Sequence, residues 1–115
     1  MNKIKVIIKR PGEKPHSTWI SNTFANIQKT VEGMYDAERI AKGQTDERLF
    51  IVYNTYGLDL PYNCTVQSAP YAGTVIFAGI HCEEAFYDLT DIPIDFQQFK
   101  RLFPDLFEES TKEDL

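Results

Sequence analysis

The sequence predicts an α+β domain in two layers, a mainly antiparallel sheet with two helices, in the order β-β-α-β-β-loop-β-β-α. Three observations carry that expectation. Apolar and charged residues alternate at the amino terminus, where Ile4, Val6 and Ile8 stand between Lys3, Lys5 and Lys9. Two further runs, Leu49–Tyr53 and Gly73–Cys82, are rich in β-branched and aromatic residues. Only two segments space their apolar residues as a helix does, too few to alternate with the strands in βαβ units.

Each element has its own signals. The first strand is read over Lys3–Arg10, with Ile7 breaking strict alternation, so that part of the second face is also apolar. Pro11-Gly12-Glu13-Lys14-Pro15 turns the chain, and Ser17–Ile20 returns as a hairpin partner with Trp19 or Ile20 pointing inward. Ser21 stands where a helix cap is needed. Phe24, Ile27 and Val31 follow on one face, and Gly33 is placed as the C′ residue. Met34–Ala41 alternates as a weaker strand, Lys42–Glu47 is a polar turn, and Arg48–Tyr53 is the central strand.

From Asn54 to Ala72, Gly57, Pro61 and Pro70 punctuate the chain, so a long structured loop is expected, with a short strand at Cys64–Gln67. Gly73–Cys82 is the most apolar strand, Glu83-Glu84 turns it, and Ala85–Leu89 pairs back. Thr90 or Asp91 precedes a second helix over Ile94–Phe103, which Pro104 stops. Because hairpins dominate, both helices are expected on one face of the sheet.

The 115 residues fit a single domain over residues 1–107, followed by an acidic tail over 108–115 expected to be disordered. Hydrophobic residues make up 43% of the chain, enough for a packed core without metal or disulfide staples. Of the net charge of −5, the last eight residues hold −3, so the body is close to neutral. A body near neutrality argues only weakly against general nucleic-acid binding, and the bases Lys3, Lys5, Lys9, Arg10 and Lys14 read as a solvated sheet edge. Two cysteines form no disulfide framework, and no signal peptide or membrane-length apolar run occurs, so a cytoplasmic location and no membrane partner are expected.

Four phrases recur together in this chain: IKVIIKRPGEKP, NTFANIQKTVEG followed by a short strand, LFIVYNTYGLDLPYN, and GTVIFAGI ahead of YDLTD. In this order they resemble a family of small proteins, domain of unknown function 3846, over about residues 3 to 103. The resemblance implies a stand-alone accessory domain from a phage, plasmid or integrative element, and transfers no catalytic residue. The chain departs from the family pattern at Tyr62-Asn63-Cys64, where relatives commonly carry a second proline and basic residues.

Chemical signatures are sparse. His16, His81, Cys64 and Cys82 lack the paired spacing of a zinc site, and adjacent His81 and Cys82 on a strand would face opposite ways. Cys64 or Cys82 with His16 or His81 is the one kind of nucleophile pair to consider, against the commoner role of a buried thiol. The carboxylate pairs Asp36/Glu38, Glu83-Glu84 and Asp88/Asp91 read as solvated faces, and no phosphate-cradling glycine loop occurs. No catalytic residue, metal or cofactor is expected.

What remains is aromatic. Tyr53, Tyr56, Tyr62 and Tyr71 fall in or beside the long loop, interleaved with Asn54, Asn63 and Gln67. Tyrosine offers large contact area at small entropic cost, so Tyr56, Tyr62 and Tyr71 with Asn54 and Asn63 form the expected binding set. The expected function is therefore that of a small non-catalytic binding protein of a phage or mobile element, acting on a host defence component. Its partner would be a host protein, a second copy of the chain or a small ligand. The alternatives are a cysteine-dependent enzyme and an oligomeric structural domain.

Overall fold

The computed structural model describes residues 2–40, 48–57, 59–83 and 86–108. The elements run β1 (Lys3–Lys9), β2 (His16–Ser21), α1 (Phe24–Val31), β3 (Tyr35–Arg39), β4 (Leu49–Asn54), β5 (Tyr62–Val66), β6 (Ala69–Ala72), β7 (Val75–Glu83), β8 (Phe86–Thr90), α2 (Phe96–Leu102) and a 3₁₀ turn over Pro104–Phe107. The α+β class is as expected: two helices and a mostly antiparallel sheet. The expected polar turn at 42–47 and the tail after residue 108 lie outside the described residues.

The main sheet has six strands, with β2-β1-β7-β4-β3 in order and β8 added to β7. β7 is the axis. Its first half pairs with β1 through Ile7–Phe77, Ile8–Ile76 and Lys9–Val75. Further along, Gly79 stands between Leu49 of β4 and Thr90 of β8, so β8 takes over the side of β7 that β1 has left. The fork is closed by the Ile92 amide donating to the Lys5 carbonyl at 2.8 Å and the Lys5 amide donating to Asp91 Oδ1 at 2.9 Å. Gly79 makes this approach feasible. A Cβ there would meet the Asp91 carbonyl and the Thr90 hydroxyl, each at 2.6 Å.

The helices do not share one face, which corrects the two-layer expectation. Val6, Ile8, Val52, Ile76 and Ala78 pack with Ile27 and Val31 of α1. The alternate residues Ile7, Ile51, Val75 and Phe77 pack with Phe99 and Phe103 of the α2 end, Leu106 of the 3₁₀ turn, and Cys64 and Val66 of β5. The cause is in β4 and β7 themselves. Runs such as LFIV and VIFA are apolar at every position, so both faces of the sheet must be covered. The α2 side is closed by rings, with Phe77 and Phe99 edge to face at 4.8 Å between centroids.

Other boundaries shift for local reasons. Ser21 stays in β2, and Thr23 caps α1 by accepting from the Asn26 amide at 3.1 Å. Glu32, not Gly33, takes the left-handed position at the end of α1 (φ 65°), and the Gly33 amide closes the helix on the Gln28 carbonyl at 2.9 Å. Asp95 caps α2 reciprocally with Gln98, so the helix begins later than Ile94. Trp19 is exposed, whereas Ile20 packs towards the α1 side of the core.

The segment between β4 and β7 is also more ordered than a loop. It contains a separate antiparallel hairpin, β5–β6, reversed by Gln67 and Ser68 with φ of 52° and 72°. The backbone is that of a tight two-residue hairpin turn, formed here without the Asn-Gly pair that usually marks one. This hairpin lies over the α2-side core through Cys64 and Val66.

Candidate functional site

The tyrosine-bearing end is built from the end of β4. Asn54 Oδ1 accepts the Tyr56 and Gly57 amides at 3.0 and 2.8 Å, folding residues 54–57 into a tight turn. Its Nδ2 donates to the Val31 and Glu32 carbonyls, both at 3.1 Å, tying that turn to the end of α1. The Thr55 amide adds a bond to the Met34 carbonyl at 2.8 Å. Tyr56 is thus displayed on a backbone fixed from two sides, with its side chain 73% exposed.

Tyr62 stands close by. Gly57 lies against Ala72, with a Cβ at Gly57 only 3.7 Å from that of Ala72, and Ala72 is the cross-strand partner of Tyr62. Tyr62 is 63% exposed, and its hydroxyl shares a 2.6 Å hydrogen bond with Thr65. The other three residues of the expected set face inward. Asn54 is the turn's internal brace, as described. Tyr71 packs edge to face on Tyr53 at 5.0 Å, and Asn63 is buried.

Tyr53 donates its hydroxyl to Glu38 Oε2 at 3.2 Å. Burial, and then the Glu38 carboxylate, pushes the Tyr53 phenol up to about 12. Burial and the same carboxylate also raise Tyr71.

Met34 extends this exposed end, and Phe24 is exposed on the α1 side of the sheet. Met34, whose carbonyl holds Thr55, and Phe24, whose ring lies 5.6 Å from that of Tyr35, are both more than half exposed. Phe24 fits the apolar stripe of α1 by spacing. Its place in the first turn carries it past the edge of the sheet, which spacing alone does not show.

A second feature lies under the hairpin. β1 is flanked by β2 and β7, so it is no sheet edge, and Lys9 is only 7% exposed. Its ammonium donates to Asn63 Oδ1 at 2.8 Å and, at 3.5 Å, to the Arg10 carbonyl. Asn63 Nδ2 in turn donates to the Lys9 and Gly73 carbonyls at 2.8 and 2.7 Å. Only this amide orientation satisfies all three contacts. Beside this cluster a groove of about 980 Å³ opens between the hairpin, the turn after β1 and the 3₁₀ turn. Burial lowers the Lys9 pKa, opposed by nearby Cys64 and Glu13. Burial raises the Cys64 thiol, opposed by Lys9.

A thiol shifted in that direction is a poorer source of thiolate. His81 lines a different groove, of about 350 Å³, together with Arg48 and Asp91, so the fold does not join it to Cys64. The Cys82 side chain lies outside the described residues. Among the described residues, no three His, Cys, Asp or Glu side chains gather as a metal site would require, and no helix is long and apolar enough to cross a membrane.

Comparison with curated proteins finds no match, and neither does comparison with solved structures. A family model does match, over residues 4–103, and that span takes in β1, the α1 brace, the tyrosine-bearing turn, the hairpin and α2. The chain belongs to the family described as Domain of unknown function (DUF3846).

Proposed function

We propose that this chain is a non-catalytic, cytoplasmic binding protein that recognises a host protein through the end carrying Tyr56 and Tyr62. The observation behind this reading is that two large, exposed tyrosines stand on backbone already ordered by internal hydrogen bonds. Aromatic side chains on a preordered backbone leave less entropy to lose on docking, and tyrosine is enriched among residues that dominate interfaces. Met34, whose carbonyl accepts the Thr55 amide, adds exposed apolar area next to the Tyr56 turn. The family resemblance supports a phage or mobile-element setting, and inhibition of a host defence component is the role that such a setting suggests.

The test is affinity capture from host lysate with the wild-type chain and with the Tyr56→Ala/Tyr62→Ala variant. A partner held by the wild type and lost from the variant, at nearly unchanged melting temperature, supports the proposal. A partner held equally by both removes the tyrosines from the interface.

A further inference from the structure

The groove beside Lys9 borders the tyrosine end through Tyr62, but its buried end is built from other residues and has its own chemistry. Lys9 is almost wholly buried, yet among the described residues its ammonium donates only to one amide oxygen and, at 3.5 Å, one carbonyl. An ammonium has three donors and one full charge. Asn63 Oδ1 satisfies one donor and supplies a dipole, not a counter-charge. Burial outweighs the opposing charge of nearby Glu13, and an ammonium so placed either gives up its proton or meets an anion. Here the groove leads to it, so an anion can arrive from solvent.

The rest of the lining narrows the class of anion. Glu13, Asp105 and Glu108 contribute carboxylates and Lys14 one further base, and all four are exposed. The groove is therefore cationic at its buried end and predominantly acidic at its mouth. That arrangement repels a polyanion such as a nucleic-acid strand and disfavours phosphate. It complements a ligand with a negative group at one end and a positive group at the other. A groove of about 980 Å³ has room for such a molecule, at the upper end of the usual size of small-ligand sites. The neighbouring Cys64 thiol is buried and held towards its neutral form, so it adds an uncharged wall.

We propose that this groove binds a small amino carboxylate, with the carboxylate on the Lys9 ammonium and the amine towards Asp105 and Glu108. Tyr62 of the tyrosine end also lines this groove, but the proposal rests on Lys9, Asp105 and Glu108, so Asp105→Asn/Glu108→Gln tests it with both tyrosines intact. The test follows the Lys9 side-chain ¹³Cε signal of the full chain by NMR during titration with 6-aminohexanoate, hexanoate, hexylamine and inorganic phosphate. Saturable binding of 6-aminohexanoate, about tenfold tighter than either single-charge analogue, is expected. The Lys9 titration midpoint should move up on binding, because a carboxylate favours the charged amine.

Asp105→Asn/Glu108→Gln changes only exposed side chains, so it tests the mouth without disturbing the core. It should reduce 6-aminohexanoate to the affinity of hexanoate. Phosphate binding as tightly as 6-aminohexanoate, a Lys9 signal unmoved at saturation, or full affinity in the double variant would each overturn the proposal.

Discussion

Asn63 is the most exacting place to perturb this structure, because one buried amide holds three partners. Asn63→Ala removes two hydrogen bonds to the Lys9 and Gly73 carbonyls and the bond accepted from the Lys9 ammonium. The first two are worth about 1 kcal/mol each and the charged one about 1.5–3 kcal/mol, so the expected loss is about 3.5–5 kcal/mol. That is a large fraction of the roughly 5–15 kcal/mol available to a domain. Asn63→Asp is the sharper variant. It offers Lys9 a counter-charge, but it turns an oxygen towards two carbonyl oxygens that the native amide meets at 2.8 and 2.7 Å. It should therefore also be destabilised, by about 2 kcal/mol at neutral pH.

Urea unfolding of the two single variants, of Lys9→Met and of Lys9→Met/Asn63→Ala measures both the losses and the coupling. Asn63→Ala should cost less in the Lys9→Met background, by about 1.5–3 kcal/mol, because the charged bond is already absent. Wild-type stability in Asn63→Asp, or no coupling between residues 9 and 63, would refute the reasoning.

Three other outcomes follow from local geometry. Gly79→Ala places a methyl group 2.6 Å from the Asp91 carbonyl at the fork of β7, so the thermal midpoint should fall by a margin equivalent to about 2–4 kcal/mol. Glu32→Gly relieves a left-handed non-glycine residue at the end of α1 and should raise stability by about 1 kcal/mol in urea unfolding. In a spectrophotometric pH titration, Tyr53 should ionise near 12 and Glu38→Gln should lower that midpoint. Since the folded form keeps this proton longer than the unfolded one, the Tyr53 contribution to stability is complete below pH 10 and is lost as pH rises towards 12.

The strands β1, β4 and β7 were legible because their patterns are decided by burial, which the sequence records directly. The uninterrupted apolar runs of β4 and β7 also carried the sign of two covered faces, although hairpin-length connections pointed to one. The β5–β6 hairpin was hidden by its turn. Gln67 and Ser68 adopt left-handed backbone that neither residue advertises, and the surrounding contacts stabilise it.

In the sequence Lys9 looks solvated because charge in a strand normally is. Its burial depends on Asn63, 54 residues away, and no local pattern reports such a pairing. Asn54 and Asn63 illustrate the same limit. Polar residues between tyrosines suggest a binding surface, yet both side chains point into backbone contacts that shape the surface from below.

The most direct measurement of the proposed function is the affinity of a captured host partner by titration calorimetry, for the wild type and for Tyr56→Ala/Tyr62→Ala. Two exposed anchor residues, each worth about 2 kcal/mol at an interface, together account for roughly a thousandfold loss of affinity. The variant should lose that affinity while its melting temperature stays within about 2 °C of the wild type, as expected for exposed side chains. Equal affinity in the two proteins would contradict recognition through this end of the molecule.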